Sequence, residues 1–416
     1  MRFLGRRGRP WTKALLAGSA SLLLAAGSYG LARSNDDCLG CHADAGLKAS
    51  NGRSVFVDGR TFEASVHGQA GSACIDCHAD LKGVKDFPHA EKLKGVDCAL
   101  CHVKPAQDLK ASVHGPERPG ASGPAAACAD CHGTHDIRAR DDPESRVFAL
   151  NLPRTCEKCH GGRVAGERGT EFIKGYETSV HFHALEKAGL TRSADCSDCH
   201  GSHLIRAVHE EGSRVSRGQI IRTCGRCHVG IERDYLEGVH GRDYLKGGKD
   251  VPVCTDCHSE HAILSPQDAR STVYATKVAG VCSHCHDDEV LSRQYGFQTS
   301  RLRTFRSSFH GVASKFGETR VANCASCHGF HGIRPSSDPR SPINAANLAG
   351  TCGKCHAGAG RNFTRGKIHV VSAKESNPPA HIIRVFYILL IVVVISVSLL
   401  FMAADLWGRL RKRWNR

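Results

Sequence analysis

Apolar positions gather in two long runs and are scattered between them. The first, Ala14 to Ala26, is uncharged and mostly apolar. The second, Val385 to Ala404, is twenty residues without a charge, enough for a helix to cross the ~30 Å hydrocarbon core of a bilayer. Between the runs periodicity is weak. "SVFVDGRTFEASVHG" (54–68) alternates around Asp58-Gly59, which predicts a β-hairpin turning at that dipeptide. "PERPGASGPAA" (116–126) and "NPPAH" (377–381) read as loop and linker. The rest predicts short helices and loops.

So little patterned apolar sequence raises the question of what fills the interior. Aromatic residues make up only 6%, whereas there are 44 glycines and 22 cysteines. That many cysteines excludes an ordinary cytosolic enzyme and leaves a disulfide-rich exported protein or a metal or haem protein. Arg2, Arg6, Arg7, Arg9 and Lys13 precede the first apolar run, and small residues follow it to Ala32. This is the pattern of a secretory signal peptide over 1–32, with an uncleaved N-terminal anchor over Ala14 to Ala32 as the alternative. Arg409, Arg411, Lys412, Arg413 and Arg416 follow the second run, so 385–404 is expected to span the cytoplasmic membrane once, with 405–416 a basic cytoplasmic tail. Everything between belongs on the periplasmic side. Of the formal +15, residues 1–32 carry +5 and residues 382–416 another +5, which leaves the exported part at +5.

Every cysteine belongs to a C-x-x-C pair, and a histidine follows each pair at once. The pairs are Cys38 and Cys41, Cys74 and Cys77, Cys98 and Cys101, Cys128 and Cys131, Cys156 and Cys159, Cys196 and Cys199, Cys224 and Cys227, Cys254 and Cys257, Cys282 and Cys285, Cys324 and Cys327, and Cys352 and Cys355. The histidines are His42, His78, His102, His132, His160, His200, His228, His258, His286, His328 and His356. C-x-x-C-H attaches a c-type haem: the thiols bond the porphyrin and the histidine is the proximal iron ligand. Disulfides require no adjacent histidine, and a structural zinc needs two such knuckles per ion. About eleven covalent haems c follow.

Fifteen histidines remain, and eleven of them recur in two settings. One is "SVHG"-like, with His67, His114, His181, His240, His310 and His369. The other lies three residues past a motif histidine, with His135, His203, His261 and His331; His89 takes the corresponding place after the Cys74 motif. These are the expected distal ligands. His135 is too near His132 to reach the far face of the same haem, so it is expected to serve a neighbour. His183, His209, His284 and His381 read as ordinary residues. Both methionines, Met1 and Met402, lie in the terminal segments, so His/Met ligation is excluded from the exported part, and mainly bis-His, low-potential haems are expected.

The motifs repeat. A unit with two motifs recurs from His114 to His160, His181 to His228, His240 to His286 and His310 to His356. The expected organisation is a three-haem region over 33–109 and four two-haem modules over 110–378. With about 32 residues per haem between Arg33 and His381, the macrocycles must supply much of the core. Haem propionates would bring the exported part from +5 to about −6 oxidised and about −17 reduced, which argues against nucleic acid as a partner. The expected fold class is a haem-cored multihaem cytochrome c of short helices and loops with little β structure and one C-terminal transmembrane helix.

From Cys38 to His369 these residues resemble the membrane-associated multihaem c-type cytochromes of anaerobic respiratory chains, of the class III and doubled C-x-x-C-H kind. The resemblance implies electron transfer, with no substrate transformed. The implied partners are periplasmic electron carriers and a quinone-linked membrane subunit, either a b-type cytochrome or an iron–sulfur oxidoreductase. Unlike the quinol-oxidising family anchored at its N-terminus, this chain has its clearer anchor at the C-terminus. The rival reading is a multihaem reductase of the nitrite, hydroxylamine or tetrathionate type, which needs one open haem. His89 and His369 are the distal positions that least resemble the others, so the Cys74, Cys98 or Cys352 region is where such a haem would lie.

Overall fold

The computed structural model describes residues 34–116, 125–161, 166–366, 369 and 378–414. The expected signal segment 1–32 lies outside them. Among the described residues there are short helices and loops and no strand; β pairing is confined to a single bridge between Lys48 and Ser54. The hairpin expected at Asp58-Gly59 is absent. Asp58 instead caps the helix Gly59–Glu63, its carboxylate accepting from the Arg60 N–H at 3.1 Å and the Thr61 hydroxyl at 2.8 Å. A side chain that satisfies free helix N–H groups favours a helix start over a turn between strands.

In the four repeated units the two motifs sit differently on their helices. The first opens a short helix at its leading cysteine: Cys128–His132, Cys196–His200, Cys254–His258 and Cys324–His328. The residue before the second cysteine explains this. Asp130, Asp198 and Asp256 accept from the N–H of the residue preceding the motif at 2.7, 3.0 and 2.6 Å, and the Ser326 hydroxyl does the same at 3.1 Å. The second motif ends a helix built from apolar residues upstream: Leu152–His160, Ile220–Gly225, Val278–His286 and Leu348–Gly353.

Between the motifs the chain folds around one serine per unit. Ser145, Ser213, Ser271 and Ser341 each fall seventeen residues after the unit's first motif cysteine, and all four are fully buried. Each donates its N–H to the carbonyl three residues back, and its hydroxyl to the carbonyl seven back, at 3.1–3.4 Å. A small polar side chain can close such a loop from inside without leaving an unpaired group.

The apolar core is thin. Only nine hydrophobic residues are buried among those described, with Ile220, Ile221 and Val253 forming the one cluster. A continuous cavity of about 5930 Å³ runs through the molecule instead, lined by every motif cysteine and histidine. At the C-terminus, the helix Pro378–Trp414 contains the uncharged run 385–404; it is long and apolar enough to cross a membrane, with mean hydropathy 3.0.

Candidate haem-binding sites

All 22 cysteines are unpaired. Each motif histidine faces one other histidine across the cavity, and the facing set is the eleven residues singled out as distal ligands. In six pairs the partner lies downstream: His42 with His89, His78 with His135, His132 with His203, His200 with His261, His258 with His331 and His328 with His369. Their ring planes meet at 13°, 26°, 21°, 7°, 32° and 41° respectively. In five pairs the partner lies upstream: His102 with His67, His160 with His114, His228 with His181, His286 with His240 and His356 with His310. Here the angles are 74°, 76°, 61°, 53° and 53°.

Ring centroids in all eleven pairs are 5.9–6.3 Å apart. An imidazole nitrogen lies about 1.1 Å from its ring centroid and binds a metal at about 2.0 Å, so two trans imidazoles on one iron put their centroids about 6.2 Å apart. The residues therefore fit a haem iron between each pair. Divided among eleven pairs, the cavity gives about 540 Å³ each, a volume that suits one medium-sized ligand. His183, His209, His284 and His381 do not line it.

The sequence grouping of the partners needs one correction. His369 sits in an "SVHG"-like context, yet it faces His328, the role that +3 histidines fill elsewhere. Residues 357–416 hold no further C-x-x-C-H motif with a +3 histidine, and His369 faces the fourth unit's first motif instead. His89 likewise faces His42.

From His78 to His258 the downstream partners come from the next unit, whereas upstream partners come from the same one. A repeated backbone hydrogen bond, which sequence reading missed, locks the two together. The N–H groups of Val66, Val113, Val180 and Val239, each just before an "SVHG"-type histidine, donate to the carbonyls of Ile137, Ile205, Ile263 and Ile333 at 2.8–2.9 Å. Each of those isoleucines lies two residues past a +3 histidine. The recurring "SV" and "H-x-I" were the only available signal. Gly238 stands where the other units have Ser, and a Cβ there would meet His331 O and the Ile333 backbone at 3.1 Å. Ser65, Ser179 and Ser308 cap the helices that carry the upstream partners, accepting from Gly68, Phe182 and Gly311 N–H at 3.0–3.2 Å.

Turn geometry after the first motif explains the glycine in C-x-x-C-H-G. Gly133, Gly201 and Gly329 take φ of 86°, 89° and 79°, a region that glycine alone enters freely. In the third unit Ser259 occupies this place at φ 62°.

Burial favours the neutral imidazole, the form that binds a metal, at several of these positions. It pushes His240 down to about 4, and lowers His132, His181, His200, His258 and His328 as well. The ring nitrogens left over find acceptors in two pairs, while His78 Nδ1 is buried without one. His42 Nδ1 lies 2.7 Å from Val55 O, and His369 Nδ1 lies 2.9 Å from the hydroxyl of buried Thr304. Such bonds fix which nitrogen faces the iron.

Neighbouring motifs follow one another in space in chain order. Leading cysteines interact directly between Cys38 and Cys74, Cys98 and Cys128, Cys156 and Cys196, Cys224 and Cys254, and Cys282 and Cys324. The intervening steps run from Cys77 to Cys101, Cys131 to Cys156, Cys199 to Cys224, Cys257 to Cys285 and Cys327 to Cys352.

Residues 60–133, which hold the motifs at Cys74, Cys98 and Cys128, match the family model for cytochrome c7 and related cytochrome c. No curated protein and no solved structure matches. The match over that stretch and the cysteine pairs along the whole chain support a multihaem c-type cytochrome whose work is electron transfer.

Proposed function

We propose that this chain is an eleven-haem electron conduit tethered to the periplasmic face of the cytoplasmic membrane. It passes electrons between a quinone-linked membrane partner, a b-type cytochrome or iron–sulfur subunit, and periplasmic carriers. The observation that carries the reading is the pairing of all eleven motif histidines with a second histidine at 5.9–6.3 Å. Haems, when bound, supply one-electron chemistry. The chain's own residues do the rest. The cysteines would anchor each group and the paired histidines would hold its iron, and burial lowers His132, His181, His200, His240, His258 and His328 toward the neutral form that binds a metal. With both faces held, little rearrangement accompanies a change of charge. The motif order along the chain supports a single file, with the Cys352 site nearest the apolar helix and the Cys38 site farthest along the file. The pairs made by His89 and His369 weigh against a reductase with an open iron.

The test is to purify the full-length protein in detergent, count haems by pyridine haemochrome, reduce it fully and add carbon monoxide. Eleven haems and an unchanged visible spectrum are expected. A fraction of the signal that moves, about one haem's worth, overturns the fully ligated reading and makes nitrite, hydroxylamine and tetrathionate the substrates to try.

A further inference from the structure

The pairs with downstream partners have ring planes at 7° to 41°, whereas those with upstream partners have planes at 53° to 76°. The backbone explains the split. Downstream partners such as His261 sit on the loop after a motif helix, whereas the upstream partners His67, His181, His240 and His310 ride on helices and His114 sits in a turn. From Cys74 onward the two kinds alternate along the chain.

We propose that this angle sorts the irons into two electronic classes that alternate along the conduit; the inference rests on the bis-His reading above. An imidazole donates π density from an orbital perpendicular to its ring. Two parallel rings raise the same iron d orbital and split it from its partner. Two crossed rings raise both orbitals together and leave them nearly degenerate. In ferric low-spin iron the vacancy sits in the highest of these orbitals. Parallel rings therefore stabilise the ferric state and lower the potential, and crossed rings leave the potential higher. Axial ligands are one of the main levers a protein has on a haem. From the Cys74 site onward, an electron that leaves one iron and oxidises it would reduce a neighbour of the other class. The contrast is widest between His200–His261 at 7° and His114–His160 at 76°, and narrowest in the last unit, at 41° against 53°. The files of sites nearest the apolar helix are thus the most nearly alike.

Electron paramagnetic resonance of the oxidised full-length protein tests this directly. Parallel pairs give ordinary rhombic low-spin signals, and crossed pairs give broad signals of large gmax. Both families are expected, with integrals close to six and five. On stepwise reduction each iron that gains an electron loses its signal, and the large-gmax family is expected to fade first. A single family, or the reverse order of fading, overturns the proposal. Two variants separate it from the reading it rests on. His261→Ala is expected to remove about one sixth of the rhombic intensity, and His114→Ala about one fifth of the large-gmax intensity, each creating one iron that binds carbon monoxide. If both subtract from the same family, the two classes are wrong and the ligation stands. If neither creates such an iron, the ligand assignment itself fails.

Discussion

Within one repeated unit the two motifs solve the same problem in opposite ways. The second motif ends a helix, and its partner histidine comes from about 46 residues upstream in the same unit, as with His114 and His160. The first motif opens a helix and must wait for a partner from the unit that follows, as His132 does for His203. One kind of site closes a unit on itself; the other staples it to its neighbour. The difference points to histidine pairs as links between units, beside one backbone hydrogen bond, a few ion pairs and, between the second and third units, the cluster of Ile220, Ile221 and Val253.

The largest effect should come from removing both kinds of site together. With nine buried hydrophobic residues among those described, the chain has too little apolar surface to offset the conformational entropy of folding. Protein made without haem attachment is expected to show no cooperative thermal transition by circular dichroism, where the haem-loaded protein shows one.

Next in size is a change that severs the joint and spares the ligands. Val180 is the first residue of its helix, and Ser179 before it has φ −73° and ψ 159°, the extended conformation that proline demands of its predecessor. Val180→Pro therefore fits the backbone while deleting the N–H that holds Ile263 O. A loss of about 1–3 kcal/mol is expected in chemical denaturation, against a far smaller change for Val180→Ala.

Thr304 stands in for the joint at the last downstream-type pair, where His369 has no next unit to hold it. Thr304→Val leaves His369 Nδ1 without its 2.9 Å partner. One haem of the set is expected to shift in potential or begin to bind carbon monoxide, and Thr304→Ser should restore it. A shift spread over all the haems would show that the residue is structural only.

A gain is expected at Ser259. The first-motif turn requires positive φ, and a non-glycine there stores strain of roughly 1–3 kcal/mol. Ser259→Gly should raise stability by about 1 kcal/mol in denaturant titration. No gain would mean that the Ser259 hydroxyl bond to Ala262 O compensates.

The smallest effect concerns charge at the joint between the third and fourth units. Arg334 bridges Glu237 at 2.6 Å and Asp338 at 3.5 Å. The Arg340 side chain, hydrogen-bonded to Asp338, holds that carboxyl down to about 2. A carboxyl lowered by folding adds stability that is complete above about pH 4 and disappears as pH falls toward the folded value. The denaturation midpoint is expected to be insensitive to this group at neutral pH and to drop below about pH 4, with a shallower drop in Asp338→Asn.

The sites were more legible in the sequence than the fold that holds them. Covalent attachment writes itself as C-x-x-C-H, and recurring context alone picks out His67 and His203, which face motif histidines in the structure. Asp58 misled because Asp-Gly suits both a hairpin turn and a helix start, and only the Thr61 hydroxyl and the Arg60 N–H decide between them. The pairing of His369 with His328 was not legible, because its neighbours resemble one class while its place in space matches the other. The joint between Val180 and Ile263 was hidden because backbone groups leave no mark on side-chain identity. Ser145 and its equivalents could have been found, since all four stand at one offset from a motif cysteine.

Each unit lends one histidine backward and borrows one from ahead, and His369 settles the account at the end of the series. Copying a whole unit in tandem would therefore keep ligands and irons in balance, with no orphan at either seam. Deleting a whole unit would do the same. Lengthening such a chain calls for no new design at any join, only for a terminal histidine that remains at the end, so its reach in ångströms is free to follow the number of tiles.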